Sequence, residues 1–148
     1  MALIAYCDFD MPWIASDREN HVALFWTGGA GPVPTAALAA VPGTASYFDL
    51  CPDFNELPAI CQAEKYHHAS GKSYAERGLF VYDWADASRV KSKRSNVYER
   101  EAKPMQPVAV DELPTYFAQL ALATKFAEIS FRKSTHVNVR KYFECLEG

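Results

Sequence analysis

The sequence predicts an α+β fold: a single domain with a mainly antiparallel sheet of about five or six strands and two main helices packed on it. Three observations predict it. Short runs rich in β-branched and aromatic residues recur at 3–6, 13–15, 21–27 and 78–84, bounded by Gly, Pro, Asn and Asp. Two later segments, beginning at Asn55 and Asp111, share the local grammar of a helix start. At 148 residues the chain is one domain in size, long enough to bury roughly 70% of the surface its unfolded form exposes.

Leu3 to Tyr6 and Trp13 to Ala15 are the first two strands. Ser16-Asp17-Arg18-Glu19-Asn20 is a polar, turn-forming cluster that joins the second to His21 to Thr27 as a hairpin. In His21 to Thr27, Val22, Leu24 and Trp26 fall on one face and Ala23 and Phe25 on the other, so neither face is polar and the strand belongs at the centre of the sheet. Gly28-Gly29-Ala30-Gly31 then forms a tight corner that feeds a short helix over Pro34 to Ala40.

Asn55-Glu56-Leu57-Pro58 and Asp111-Glu112-Leu113-Pro114 each place a capping side chain first and an acid next, where the helix dipole favours it. Proline follows where no intrahelical bond is lost. The first helix is expected to run to about Ser70, with Lys65, His67 and His68 near its negative C-terminal end and Gly71 as a left-handed cap. The second puts Leu113, Phe117, Leu120 and Ala121 on one stripe, the spacing of an amphipathic helix against a core. Between them, Gly78 to Trp84 is the clearest strand of the chain. Ala85 to Ser95 reads as a long hairpin tip or loop. Asn96 to Lys103 alternates charged and apolar residues before Pro104 and Pro107, a wetter and more peripheral strand. Glu128 to Phe131 and His136 to Val139 are expected as further short strands, while the last dozen residues fit strand and helix equally.

Fifteen Lys and Arg against eighteen Asp and Glu leave a formal charge of −3, which argues against a sequence-independent grip on nucleic acid and favours a basic partner over an acidic one. With 49% hydrophobic and 14% aromatic residues, burial offsets the entropy of ordering the chain. No apolar run approaches the ~20 residues of a membrane-spanning helix. The N-terminus carries no Lys or Arg before its apolar stretch and reaches Asp8 and Asp10, unlike a signal peptide, so the expected location is the cytoplasm. Cys7, Cys51, Cys61 and Cys145 form no C-x-x-C pair and read as reduced thiols.

Four features invite chemistry. The glycine corner carries no lysine, and Pro32 and Pro34 each lack a backbone donor, so it does not read as a phosphate cradle. Leu3-Ile4-Ala5-Tyr6-Cys7-Asp8-Phe9-Asp10, a strand followed by Asp-x-Asp, resembles the nucleophile motif of the haloacid dehalogenase-like phosphatases. That resemblance implies a first aspartate attacking phosphorus, a second handling the proton, and magnesium beside both. It covers only these residues: Met11-Pro12 stands where the family's threonine follows, and Asp83 and Asp86 around Trp84 are a poor substitute for its downstream acidic pair. A small metal-dependent phosphohydrolase or ligand-binding enzyme using Asp8 and Asp10 is therefore the alternative reading. His67-His68 lies near Cys51 and Cys61 without zinc-finger spacing, and adjacent side chains on a helix diverge by about 100°. No metal site or other cofactor is expected. Arg89-Val90-Lys91-Ser92-Lys93-Arg94 reads as a solvated loop first, a contact for an acidic protein patch second and a nucleic-acid contact last.

Two blocks, Met1 to Pro34 and Gly78 to Pro114, resemble small bacterial immunity proteins of polymorphic toxin systems. The residues that carry the likeness are His21 to Pro34 and Gly78-Leu79-Phe80-Val81-Tyr82-Asp83-Trp84. The resemblance implies a single cytoplasmic domain that binds one cognate toxin protein and occludes its active site, and it brings no catalytic residues; with the charge and the short apolar runs, the expectation is a non-enzymatic protein with no nucleic acid, membrane or cofactor involved. The resemblance carries over no interface residues and leaves the oligomeric state open. From the residues themselves, the expected partner contacts are Asp17, Arg18 and Glu19 at one hairpin tip. At the other they are Trp84, Asp86, Arg89, Lys91 and Arg94, where exposed charges orient a partner and a partly buried aromatic supplies affinity.

Overall fold

The computed structural model describes residues 3–5, 10–39, 54–85, 97–142 and 144–145. In chain order the strands and helices are β1 (Leu3–Ala5), β2 (Pro12–Asp17), β3 (Val22–Trp26), β4 (Val33–Pro34), α1 (Thr35–Ala39), β5 (Ala63–Tyr66), α2 (Ala69–Glu76), β6 (Phe80–Ala85), β7 (Val97–Pro104), α3 (Thr115–Ala123), β8 (Lys125–Phe126), β9 (His136–Val137) and β10 (Glu144–Cys145). The architecture is α+β in one domain.

The main sheet runs β5-β7-β6-β3-β2-β8, with β9 also pairing β7. The pairs β2–β3, β5–β7, β6–β7 and β7–β9 are antiparallel, while β3–β6 and β2–β8 are parallel. A small second sheet runs β10-β1-β4. The hairpin of β2 and β3 and the central place of β3 agree with the sequence reading: β3 lies between β2 and β6, and Val22 through Phe25 are 0% exposed.

Alternation along the strands divides the sheet into two faces. One is aromatic. Phe25 stacks between Trp13 and Tyr82, with ring centroids at 4.3 and 4.9 Å, and Tyr98 and Phe131 meet it edge-on. The polar tips are satisfied inside this layer: Trp13 Nε1–H donates to the Tyr98 hydroxyl at 3.1 Å, which donates to the Pro32 carbonyl at 3.0 Å. The other face lies under the helices. Ser16 donates its hydroxyl proton to the Ala121 carbonyl of α3, and α2 sets Ala75 against Val81 and Ala102.

The glycine corner is a packing device. Gly28 and Gly29 have φ of 61° and 80°, the left-handed region that glycine enters without strain. A Cβ on Gly31 would stand 2.5 Å from the Tyr98 hydroxyl oxygen. Four donors of the corner are already engaged: Gly28 N–H donates to Asp10, Gly29 N–H to the Thr27 hydroxyl, and Ala30 and Gly31 N–H to the Thr27 carbonyl. The helix that follows is α1, which begins one residue later than expected; Ala40, its expected end, lies outside the described residues.

Several boundaries correct the sequence reading. The helix expected from Asn55 to Ser70 is only one turn, Phe54–Glu56, followed by β5. Gln62 to Tyr66 lacks an apolar stripe at helical spacing, and it gains more by pairing with β7. Lys65 therefore lies in a strand, and His67 and His68 lie before the start of α2, not at a helix C-terminus. Gly71 lies inside α2, not at a cap. The second helix begins at Thr115, and Asp111 sits in a separate turn, Val110–Glu112, whose Glu112 carboxylate accepts the Ala109 N–H at 2.8 Å. β7 is not peripheral, because β6 covers one of its edges and β5 and β9 share the other. Glu128 to Phe131 is turn and loop, and the strand at His136 ends at Val137. Most of the Ala85 to Ser95 connection lies outside the described residues.

Candidate functional site

Because β5 and β9 split one edge of β7 between them, a gap opens over Arg100 and Glu101. Backbone groups bridge it: Arg100 N–H donates to the Thr135 carbonyl and His67 N–H to the Glu101 carbonyl. Around the gap, on the helix-covered face, lie cavities of about 310 and 600 Å³ that share His67, Glu99, Arg100 and Glu101 as lining. A third, of about 280 Å³, continues past His68 and Asp83 to Asp10, Trp26 and Tyr74.

The buried organiser of this cleft is Glu101, 6% exposed. Its Oε1 accepts the N–H of His67 at 3.0 Å and of His68 at 2.6 Å, so the carboxylate holds the entry to α2, where negative charge complements the helix dipole. Gly71 makes room for it, since a Cβ there would stand 1.6 Å from Glu101 Oε2.

Asp83 and Glu99 are direct cross-strand partners on β6 and β7. Like charges placed opposite one another weaken a sheet. His136 lies across from Glu99 with Nε2 at 3.8 Å from Oε2, and neither of these two buried atoms has a hydrogen-bond partner among the described residues. Arg100 Nη1 donates to the Phe131 and Arg132 carbonyls at 2.8 and 2.9 Å, which ties the β7 edge to the 131–132 turn. At the rim stands Tyr66, 48% exposed. A concave surface with fixed carboxylates, imidazoles and an exposed aromatic is chemically suited to a cationic group carried by a protein.

Of the expected partner contacts, those among the described residues fall elsewhere. Asp17, expected at an exposed tip, is 0% exposed. Its Oδ1 accepts the N–H groups of Glu19 and His21, both at 2.9 Å, and its Oδ2 that of Phe131 at 2.7 Å, so it clamps the β2–β3 turn from within. Arg18 and Glu19 are exposed. The Ser130 hydroxyl donates to Glu19 and holds its carboxyl below the usual range against the opposing desolvation, with His21, Arg132 and Arg18 adding to the lowering. Trp84, expected as a partly exposed anchor, is 3% exposed and meets Tyr98 edge-on at 5.1 Å, a member of the aromatic core. Asp8, Asp86, Arg89, Lys91 and Arg94 lie outside the described residues, as do Cys7 and Cys51. Asp10 is exposed, with its carboxylate on Gly28 N–H. The Cys61 thiol is free and donates to the Ala75 carbonyl.

Trp84, the described member of the second expected contact set, does not lie beside the 17–20 turn. Since β3 and β6 are parallel, the 17–20 turn lies at the start of β3, while Ala85, from which the 86–96 connection leaves, lies at the opposite end of the sheet. Glu99 and Glu101 went unrecognised in the sequence, although glutamates two apart in a strand share a face. The bridging of β7 by two separate segments carried no such signal. No family model, curated protein or solved structure matches the chain.

Proposed function

We propose that this protein is an immunity-type inhibitor that acts in the cytoplasm, binds a cognate bacterial toxin and occludes the toxin's active site, with the cleft beside β7 as its docking surface. One observation carries the reading: Asp83 opposite Glu99 in an open cleft, with exposed Tyr66 at its rim. A cationic segment of the partner entering the cleft meets the carboxylates that line it, and Tyr66 supplies the apolar contact that fixed charges do not.

The test is a calorimetric titration with the toxin domain encoded beside this gene, run together with an assay of that toxin. The expected result is a tight complex and loss of toxin activity, with Tyr66→Ala and Glu99→Gln each weakening binding about tenfold or more. Full toxin activity beside a stoichiometric amount of the folded protein contradicts the proposal. Magnesium-dependent hydrolysis of a phosphoester, lost in Asp8→Asn, would instead establish the phosphohydrolase reading.

A further inference from the structure

We infer that the β2–β3 turn is a binding site for a divalent transition-metal ion of the zinc class, held by Asp17, Glu19 and His21. One donor atom from each of the three lies within 4.8 Å of the other two. The spacing D-x-E-x-H places the three on a single turn.

The second observation is an orphan. The ring of His21 is partly buried, and its Nδ1, itself buried, has no hydrogen-bond partner among the described residues, whereas buried ring nitrogens are normally satisfied. Nδ1 is the ring nitrogen nearer the backbone, and the His21 backbone N–H is itself held by Asp17 Oδ1 at 2.9 Å. A metal ion supplies the partner that is missing. Asp17 is fully buried, and its three accepted N–H bonds leave one lone-pair position on Oδ2.

The turn is rigid before any ion arrives, which lowers the entropy lost on binding. Arg18 N–H donates to the Ile129 carbonyl, Asn20 N–H to the Asp17 carbonyl, and Val110 N–H to the Asn20 carbonyl. Lys125 Nζ donates to Asn20 Oδ1 at 3.0 Å. Donors sharing one zinc ion lie about 3 to 4 Å apart, so small side-chain rotations close the set. The Ser130 hydroxyl on Glu19 and the N–H groups on Asp17 are outer partners that fix carboxylate orientation. An imidazole with two carboxylates selects a borderline ion over magnesium or calcium, and three protein donors leave a position for water.

The experiment is equilibrium dialysis of the full chain against zinc chloride, with cobalt(II) as a spectroscopic probe. The expected result is one zinc ion per chain and a cobalt spectrum that changes on binding. Affinity falls about tenfold or more in Glu19→Gln and in His21→Gln, and holds in Cys61→Ser and in His67→Ala. Glu19 is exposed, so Glu19→Gln keeps the fold, and circular dichroism checks that His21→Gln does too. No zinc bound at about 100 µM, or binding that survives both Glu19→Gln and His21→Gln, overturns the inference.

Discussion

The two faces of the main sheet are built from alternate residues of the same strands, yet they are put to opposite uses. On β6, Phe80, Tyr82 and Trp84 turn into an aromatic layer that is 3% exposed or less, while Val81 and Asp83 face the helices and the cleft. On β7, Tyr98 and Arg100 serve the aromatic side, and Glu99 and Glu101 line the cleft. The closed face has a packing partner for every ring. The helix-covered face leaves a cleft that holds two carboxylates opposite each other and a buried third that organises a helix start. The aromatic face is wholly given to stability, whereas the other is core over β2 and β3 and opens only at the cleft beside β7, the proposed docking surface.

The largest effect that tests this division is on the closed face. Trp13→Ala removes the ring that stacks on Phe25 and holds the Tyr98 hydroxyl, with an expected loss of about 3 to 5 kcal/mol in chemical denaturation and no change in partner affinity for the fraction that folds. Gly71→Ala follows. Its Cβ displaces the Glu101 carboxylate and strips the His67 and His68 N–H groups of their acceptor, an expected loss of about 1 to 3 kcal/mol accompanied by weaker partner binding. A variant that loses stability and keeps full affinity would separate Glu101 from the cleft's function.

Tyr82→Phe sharpens the contrast from inside the aromatic layer. It deletes a hydroxyl that donates to the Ser134 carbonyl at 2.5 Å, with an expected loss of about 1 kcal/mol. Burial raises the Tyr82 pKa well above its ordinary value, so the folded chain keeps the neutral phenol while the unfolded chain ionises. That stability is present below about pH 10 and is lost as the pH rises beyond it. Denaturation midpoints taken across the alkaline range should show a shallower decline in Tyr82→Phe than in the parent.

The smallest effect lies at the β2–β3 turn. The Glu19 carboxyl is held below its usual range, chiefly by Ser130, so its ionised form favours the fold at neutral pH and that contribution disappears as the pH falls through the carboxylate range. Glu19→Gln should leave thermal stability at neutral pH within about 0.5 kcal/mol of the parent and remove a small part of the acid-side decline.

The elements that were legible in the sequence are those whose signal is local. His21 to Thr27 and Gly78 to Trp84 announced themselves through β-formers bounded by glycine, and the hairpin between Trp13 and His21 through its polar turn. Asn55 to Ser70 was misread because capping grammar permits a helix without requiring one: β7 offered Ala63 to Tyr66 a strand edge, and that tertiary gain outweighed local preference. Gly71 and Glu101 explain each other only once α2 and β7 are in contact, thirty residues apart in sequence. Trp84 and Asp17 were placed at exposed tips by proximity to a polar segment, whereas strand parity for one and three backbone donors for the other turned both inward.

Hydrogen exchange of the protein with and without its toxin tests the central claim most directly. If the cleft is the docking surface, amides at 64–67 and 97–103 slow markedly in the complex, while those of 13–15 on the closed face, already protected, do not change. Protection confined to the 17–21 turn or to α3, with 64–67 and 97–103 unaltered, would contradict it.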